Sequence, residues 1–278
     1  MLFLLLPEAT MNYFKFLSFY LFLFVFHCCI TLERDCHPYS LRDSSFFFKK
    51  PLKKVVYTCI CGDYDSLISH SYTRDDWDYI CFTDNQKLLK TGHKQWTIHP
   101  LKYSERDHTR NNRWHKIFAD KILAGYGISL YIDGNIDIKN SELFDYIDRQ
   151  LIHEETKTLV INKHTERNCI YQEAEVCKAL RLDSESVIDN QMSIFRQLEY
   201  PEFGGLTENF MIYRRHYNEQ VKEIMEDWWW WVSNYSKRDQ LSFNFVIWNR
   251  GFKIYLFEKE FSRTGSCLEF FSHEKKRE

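Results

Sequence analysis

Within "SLYIDGNIDIKN", Ser129 to Asn140, a strand-like run ends on Asp133, Gly134 and Asn135. In an extended chain successive side chains alternate faces, so Asp133, Asn135 and Asp137 are expected on one side. Two carboxylates and an amide suit a hard divalent cation, which takes oxygen ligands and keeps waters or substrate phosphates in its shell. Gly134 removes bulk where a ligand can approach the backbone. D-x-N-x-D also opens an EF-hand calcium loop, but its glycine position holds Ile138 and its twelfth holds Phe144, so that alternative fails. Two readings remain. One is an Asx-rich turn closing a strand. The other is a divalent metal shared by Asp133, Asn135 and a nucleotide diphosphate.

Other candidates lie on predicted helices and strand ends. In "RNNRWHKIFADKIL", Trp114, Phe118 and Ile122 form an apolar ridge, and Arg110, Arg113 and Lys116 share an arc of about 120° on the helical wheel. Such an arc neutralises a diphosphate or simply faces solvent. "RDQLSFNFVIWNRG" opens a helix with Asp239 and Gln240 in its first turn, where an acid also complements the helix dipole. "GGLTENFMIYRRH" places Glu208 and Asn209 just before a strand, Glu208 being an acceptor-binding group, a base or a turn residue. "NKHTERNCIYQEAEVC" gathers His164, Arg167, Cys169, Tyr171 and Glu173 directly after a strand, as one polar cleft wall. The tryptophans of "DWWWW" occupy every face of a helix, so at least one ring is expected to be partly exposed.

The elements that must position these groups alternate along the chain. Strands are expected at "KKVVYTCICG", "WDYICFTDN", "QWTIHPL", "SLYIDGN", "TLVINKH", "NFMIYRRH" and finally "FKIYLFE". Helices are expected from about Glu105 to Leu123, over "SELFDYIDRQL" with Ser141 as cap, over "CIYQEAEVCKALRL" and "SVIDNQMSIFRQL", from Asn218 to Val232 and from Arg238 to Trp248. This order predicts an α/β domain whose parallel or mixed sheet is covered by helices on both faces. Ligands bind such sheets beyond the carboxyl ends of the strands, here near Cys61–Asp65, Asp84–Asn85 and Asp133–Asn135.

The chain has 278 residues, is 44% hydrophobic and carries a formal net charge of −2. That supports a substantial core and argues against a nucleic-acid binder with a broad basic face. The apolar run "FLSFYLFLFVFHCCI", Phe16 to Ile30, has Lys15 before it and no small-x-small cleavage pattern after it. It is therefore expected to be an uncleaved signal anchor with the domain on the lumenal side, a single-pass type II arrangement in the Golgi or ER, with secretion as the alternative. A sequon at Asn234-Tyr235-Ser236 is compatible with that side. Cys28 and Cys29 fall in the apolar run. Cys59 and Cys61 share one strand face, as small core residues or as a bridge. Cys169 and Cys177, about 12 Å apart along a continuous helix, are too distant to bridge. No paired Cys/His spacing supports a zinc site.

"VVYTCICGDYDSL", "FTDN", the basic helix, "YIDGNIDI", "HTERNCIYQEAEVC" and "RDQLSFNFVIW" occur together, in this order, over roughly Val55 to Glu258. In them the chain resembles the plant mucilage-related and turgor-regulation-defect group of glycosyltransferase-like proteins. It departs at Thr165, where that pattern has proline, and at Asn135, where the wider glycosyltransferase motif has a second aspartate. The resemblance implies a GT-A-like, Rossmann-type mixed sheet flanked by helices. Residues 1–31 would be the anchor, 32–54 a stem or linker, and 55–278 the glycosyltransferase-like domain. It implies a nucleotide-sugar donor, by preference a UDP-sugar, a glycan or glycoconjugate acceptor, and Mn²⁺ or Mg²⁺. Tyr64 and Asp84 would contact the nucleoside, and Arg110, Arg113 and Lys116 the diphosphate. Asp133, Asn135 and His273 would bind the metal. Asp239 and Gln240 would face the anomeric carbon, with Glu208 a further catalytic candidate. His164, Arg167 and Glu173 would line the acceptor side. Two other functions compete: a membrane-anchored hydrolase of ceramidase type, and a non-catalytic carbohydrate-binding protein. Neither G-x-S-x-G nor H-E-x-x-H is present to support the hydrolase.

Overall fold

The computed structural model describes residues 52–273. The expected anchor, and the expected stem up to residue 51, lie outside the described residues. Among the described residues no helix is long and apolar enough to cross a membrane.

Seven strands form one mixed sheet. β1 (Lys54–Ile60), β2 (Asp78–Thr83), β3 (Thr97–Pro100) and β4 (Ile128–Ile132) are its parallel half, in the order β3-β2-β1-β4. β7 (Thr207–Arg215) pairs antiparallel with β4, followed by β6 (Leu159–Lys163) and β8 (Tyr255–Leu256). β1 and β4 are apolar and buried on both faces, as central strands covered by helices must be. A separate two-stranded sheet pairs β5 (Ile136–Ile138) with β9 (Leu268–Phe270) and brings the C-terminal segment back beside β4.

Strand alternation sorts the core into two layers. Val55, Tyr57, Cys59 and Tyr131 face a layer with α2 (His108–Ile117), α5 (Ile170–Ala179), α6 (Glu185–Gln197), α7 (Glu219–Asn234) and α8 (Gln240–Asn249). Val56, Leu130 and Ile132 face the other layer, built on α4 (Glu142–Tyr146) and the aromatic residues Trp77, Trp96 and Phe144. α1 (Gln86–Thr91) and α3 (Ala119–Ile122) are short helices. All six described cysteines are free and buried. Of the tryptophan run, Trp228 is fully buried and Trp230 is half exposed.

Several local expectations are corrected. The helix expected from Glu105 to Leu123 is two, α2 and α3, broken at Phe118 (φ −96°, ψ 53°). The break has a tertiary cause. Arg214 on β7 donates to the carbonyls of Lys116 (2.6 Å) and Ile117 (2.9 Å), and the Tyr57 hydroxyl donates to Lys116 O at 2.8 Å. These donors satisfy the helix-end carbonyls and place a cation at the negative end of the α2 dipole. Ser141 does not cap α4. It is already helical and donates to Asp145, while Asn140 accepts from the Glu142 amide. The final strand is only Tyr255–Leu256, and β9 follows it. Glu208 and Asn209 lie inside β7, not before it.

Two buried histidines couple this packing to pH. His115 accepts from the Lys102 amide through Nε2 (2.8 Å) and donates from Nδ1 to Asn111 O (2.7 Å). Burial pushes its pKa down to about 4, and does the same for His216. A pKa lowered in the folded state contributes stability that is complete above the unfolded value and lost as pH falls through the folded one. Stability is therefore expected to be flat above about pH 6.5 and to fall between there and pH 4, by on the order of 3 kcal/mol per histidine. Melting temperature against pH measures this. A transition unchanged down to pH 4.5 contradicts it.

Candidate active site

A cavity of about 800 Å³ opens beyond the carboxyl ends of β1 and β4. Its wall includes Cys59, Cys61, Gly62, Tyr64 and Asp65 from β1 and its following loop, and Asn112 and Arg113 from α2. Tyr131, Asp133 and Gly134 come from β4 and its exit, Lys237 and Arg238 from the loop before α8, and His273 from the C-terminal segment.

Asp133 follows Tyr131 by two residues and so shares its face, toward α2 and α8. Its Oδ1 accepts from the Tyr131 hydroxyl at 2.8 Å and lies 3.3 Å from Lys116 Nζ. Lys116 also reaches Asp239 Oδ2 at 3.2 Å, and Arg113 Nε lies 3.0 Å from Asp239 Oδ1. One network, Asp133–Lys116–Asp239–Arg113, thus joins β4, α2 and the N-terminus of α8. Asp239 does not cap α8. Its carboxylate turns instead to the two cations and to the Asn209 amide at 3.4 Å. Burial would raise its pKa, but Arg113, Lys116 and Arg238 outweigh burial and hold it well below the usual carboxylate range. Lys116 loses more to burial and to neighbouring Arg113 than the two carboxylates return, so its pKa falls.

A second polar cluster forms on the β6 side. The β6–β7 register jumps, with Ile161 opposite Ile212 but Asn162 opposite Glu208, so residues 209–211 have no partner on β6. This bulge re-aims the chain: Asn209 faces Asp239, while Glu208 faces His164. His164 Nδ1 accepts the amides of Glu166 and Arg167 and lies 3.8 Å from Glu208 Oε1. Its Nε2 is 3.7 Å from Glu173, which Arg167 holds at 2.8 Å. Thr165 donates to Glu208 Oε1 at 3.1 Å. Glu208, His164, Arg167 and Glu173 are therefore brought together, but none of them lines the cavity.

The remaining candidates divide. Tyr64 lines the cavity and packs on His273, ring centroids 4.8 Å apart. Asp84 does not line it. It holds the wall by accepting from Gly62 N at 2.9 Å and contacting His108 at 3.2 Å. Gly62 has φ +67°, and a β-carbon there would meet His108 at 2.7 Å, so the turn requires glycine. Arg110 leaves the expected arc. It donates to Val232 O and Tyr235 O and pairs with Asp107, tying α2 to the end of α7. Gln240 donates to Thr207 O at 3.3 Å.

The expected one-sided cluster of Asp133, Asn135 and Asp137 is not formed. A turn after Ile132 resets the alternation, and Asp137 is buried against Ser71 and His70. Asn135 exchanges hydrogen bonds with Phe271, its side chain donating at 2.6 Å and its carbonyl accepting at 2.9 Å. Asn135 thereby secures the segment that carries His273. Gly134 makes room for Ile60, whose Cδ1 lies 2.8 Å from where a β-carbon would sit.

Among the described residues no group of three or more His, Cys, Asp or Glu is suited to a metal ion. Two separate donors remain on the cavity wall, Asp133 and His273. His273 Nδ1 lies 3.0 Å from both Asp65 oxygens, so the Nδ1–H tautomer donates there and leaves Nε2 as a ligand. Asp133 keeps Oδ2, since Tyr131 and Lys116 engage Oδ1. Asp133 and His273 both line the cavity, and a carboxylate oxygen and an imidazole nitrogen are donor types that a divalent cation accepts.

Sequence reasoning overlooked Arg238, Tyr131, Asn112 and His108. Arg238 was legible only as the neighbour of Asp239, and the other three project into the cavity through contacts the pattern does not carry.

A cavity at the carboxyl edge of a mixed sheet, walled by a carboxylate and a basic helix, is the ligand-binding arrangement of an open α/β domain. The family model "TOD1/MUCI70, glycosyltransferase-like domain" matches residues 39–266, and the chain belongs to that family. No curated protein sequence matches it. Among solved structures it is similar to the bifunctional glycosyltransferase WbbM, at 9% identity over 76% of this chain and TM-score 0.46. It spans 40% of WbbM's length. It is also similar to mouse xyloside xylosyltransferase 1 (10% identity, 75% of this chain, 86% of that one, TM-score 0.43). The galactosyltransferase LgtC is a third (11%, 75%, 74%, TM-score 0.44).

Proposed function

We propose that the chain transfers a sugar from a nucleotide-sugar, by preference a UDP-sugar, to a hydroxyl of a glycan or glycoconjugate, assisted by Mn²⁺ or Mg²⁺. The observation that carries this reading is the Asp133–Lys116–Asp239–Arg113 network on the wall of a cavity beyond the parallel strands. Membership of a glycosyltransferase-like family supports it. In the transfer, the acceptor oxygen bonds to the anomeric carbon as that carbon's bond to the diphosphate oxygen breaks, and the electron pair leaves with the diphosphate. Arg113 is the cation of the network that lines the cavity, and it offsets the charge growing on that leaving group. A divalent cation at Asp133 and His273 would, when bound, add positive charge at the phosphates. Asp239, buried and held ionised, is a poor proton acceptor, and its part is to fix Arg113 and Lys116. Glu208, the further base candidate, stands off the cavity wall with Arg263 Nε 3.5 Å from its Oε2, so the hydroxyl proton passes to water or to the departing diphosphate rather than to this carboxylate.

Thermal shift against a panel of nucleoside diphosphates and their sugars, with and without Mn²⁺, tests the reading. A ligand at 100 times its Kd adds about 2.7 kcal/mol, which for a domain of this size raises Tm by roughly 5–10 °C. No shift from any nucleoside diphosphate would sink it.

A further inference from the structure

The carboxylates around the cavity already have partners. Asp133 and Asp239 face Lys116 and Arg113, Asp107 is bound by Arg110 at 2.8 Å, and Asp65 by His273 at 3.0 Å. Lys116 and Arg110, which the sequence pattern put forward as phosphate ligands, are thus already matched. Arg238 is different. It lines the cavity and is 8% exposed, Nη2 donates to neutral Gln240 Oε1 at 3.3 Å, and Asp239, whose charge it helps to hold, is beyond ion-pair distance and already engaged by Arg113 and Lys116. Its Nε is buried with no hydrogen-bond partner, and no carboxylate among the described residues forms an ion pair with it. A buried guanidinium with no carboxylate in direct contact is unfavourable, so its retention at a cavity wall points to a charge supplied from the cavity.

The loop is built to hold Arg238 in place. Ser236 N donates to Gln191 Oε1 at 3.0 Å, and Gln191, fully buried, donates to Leu241 O at 3.0 Å. Ser236 Oγ and Lys237 N both donate to Asp183 Oδ2 at 2.8 Å, and Arg238 N donates to Ser236 Oγ at 3.2 Å. The loop that carries Arg238 is therefore held by α6, the segment before α6 and α8 before any ligand arrives, which lowers the ordering cost of binding.

We infer that Arg238 is the anion-recognition residue of the cavity, its guanidinium fork taking phosphate oxygens of a nucleoside diphosphate. Arginine suits this task because its planar donors match two phosphate oxygens at once, which an ammonium does not. The nucleoside part of the assignment rests on the donor reading above, and the anion part does not.

Calorimetric titration of wild type, R238Q and R238K with inorganic pyrophosphate, UDP and uridine tests it. R238Q is expected to weaken pyrophosphate and UDP by roughly 30-fold and to leave uridine unchanged, the loss of charge-assisted hydrogen bonds. R238K, which keeps the charge but not the fork, is expected to weaken both by about 10-fold. Because Arg238 makes no direct ion pair in the free protein and Asp239 keeps Arg113 and Lys116, R238Q is expected to melt close to wild type, an outcome that a purely structural arginine would not give. Should R238Q not fold, the free-protein role is structural and the inference fails. It fails equally if wild type does not bind pyrophosphate, or if either variant binds it as wild type does. Pyrophosphate binding lost in R238Q, with UDP bound no tighter than pyrophosphate in wild type, supports the anion site and counts against the donor reading alone.

Discussion

Asp239→Ala is expected to destabilise the domain by about 3–5 kcal/mol, the range for removing one partner of a buried ion pair, and to lower Tm by roughly 6–20 °C. Asp239 is 2% exposed and stands between Arg113 at 3.0 Å and Lys116 at 3.2 Å. Without it Arg113 loses the carboxylate in direct contact and keeps only the more distant Asp133, which Lys116 also retains. The loss comes from those stranded cations rather than from the missing attraction, so it should shrink when one is removed as well. Asp239→Leu combined with Lys116→Met is expected to be less destabilised than the sum of the single variants, by roughly 0.5–3 kcal/mol. Strict additivity in this cycle would show that the network is not energetically joined. The pH sign follows from the lowered pKa of Asp239. Its contribution is complete above the ordinary carboxylate value of 3.8 and is lost only as pH falls below it. Asp239 therefore does not contribute to the fall expected between pH 6.5 and 4, which belongs to His115 and His216.

What could be foreseen depended on how local its cause was. The strands β1, β2, β4 and β7 were visible because β-branched and aromatic residues run unbroken between polar ends, as fully covered strands require. Asp133 could be placed because its face follows from Tyr131 by alternation. Asn135 and Asp137 could not, because the turn at Asp133–Asn135 cancels the alternation, and their partners Phe271 and Ser71 are distant in sequence. The helical wheel put Arg110, Arg113 and Lys116 on one arc, but only the packing of α7 decides that Arg110 reaches Val232 and Tyr235. The break at Phe118 was hidden for the same reason, since Arg214 acts from nearly a hundred residues away. The His164–Glu173 grouping was visible because both residues follow one strand. Its link to Glu208 depends on a bulge in β7, and no periodicity announces a bulge.

Asp133→Asn is expected to behave oppositely to Asp239→Ala, with near-normal stability and a large loss of function. The Asp133 side chain is 30% exposed, and Lys116 keeps Asp239 when it is neutralised, so no cation is stranded. The amide oxygen can still accept from Tyr131, which preserves the local shape. A change within about 1 kcal/mol is expected, as for a substitution that creates neither a cavity nor an unpaired buried charge. What is lost is the negative oxygen that remains free for a cation beside His273. The Mn²⁺-dependent part of the UDP-induced thermal shift should disappear, while the metal-independent part, which Arg113 and Arg238 would carry, should persist. Transfer from the nucleotide-sugar should fall by roughly 10²–10³, the effect of removing one preorganised electrostatic contact to developing charge. Comparing UDP titrations of wild type and Asp133→Asn at fixed Mn²⁺ and in chelator separates the two contributions. If the variant keeps the full Mn²⁺-dependent stabilisation, the cation is not held at Asp133 and the proposed metal site is wrong.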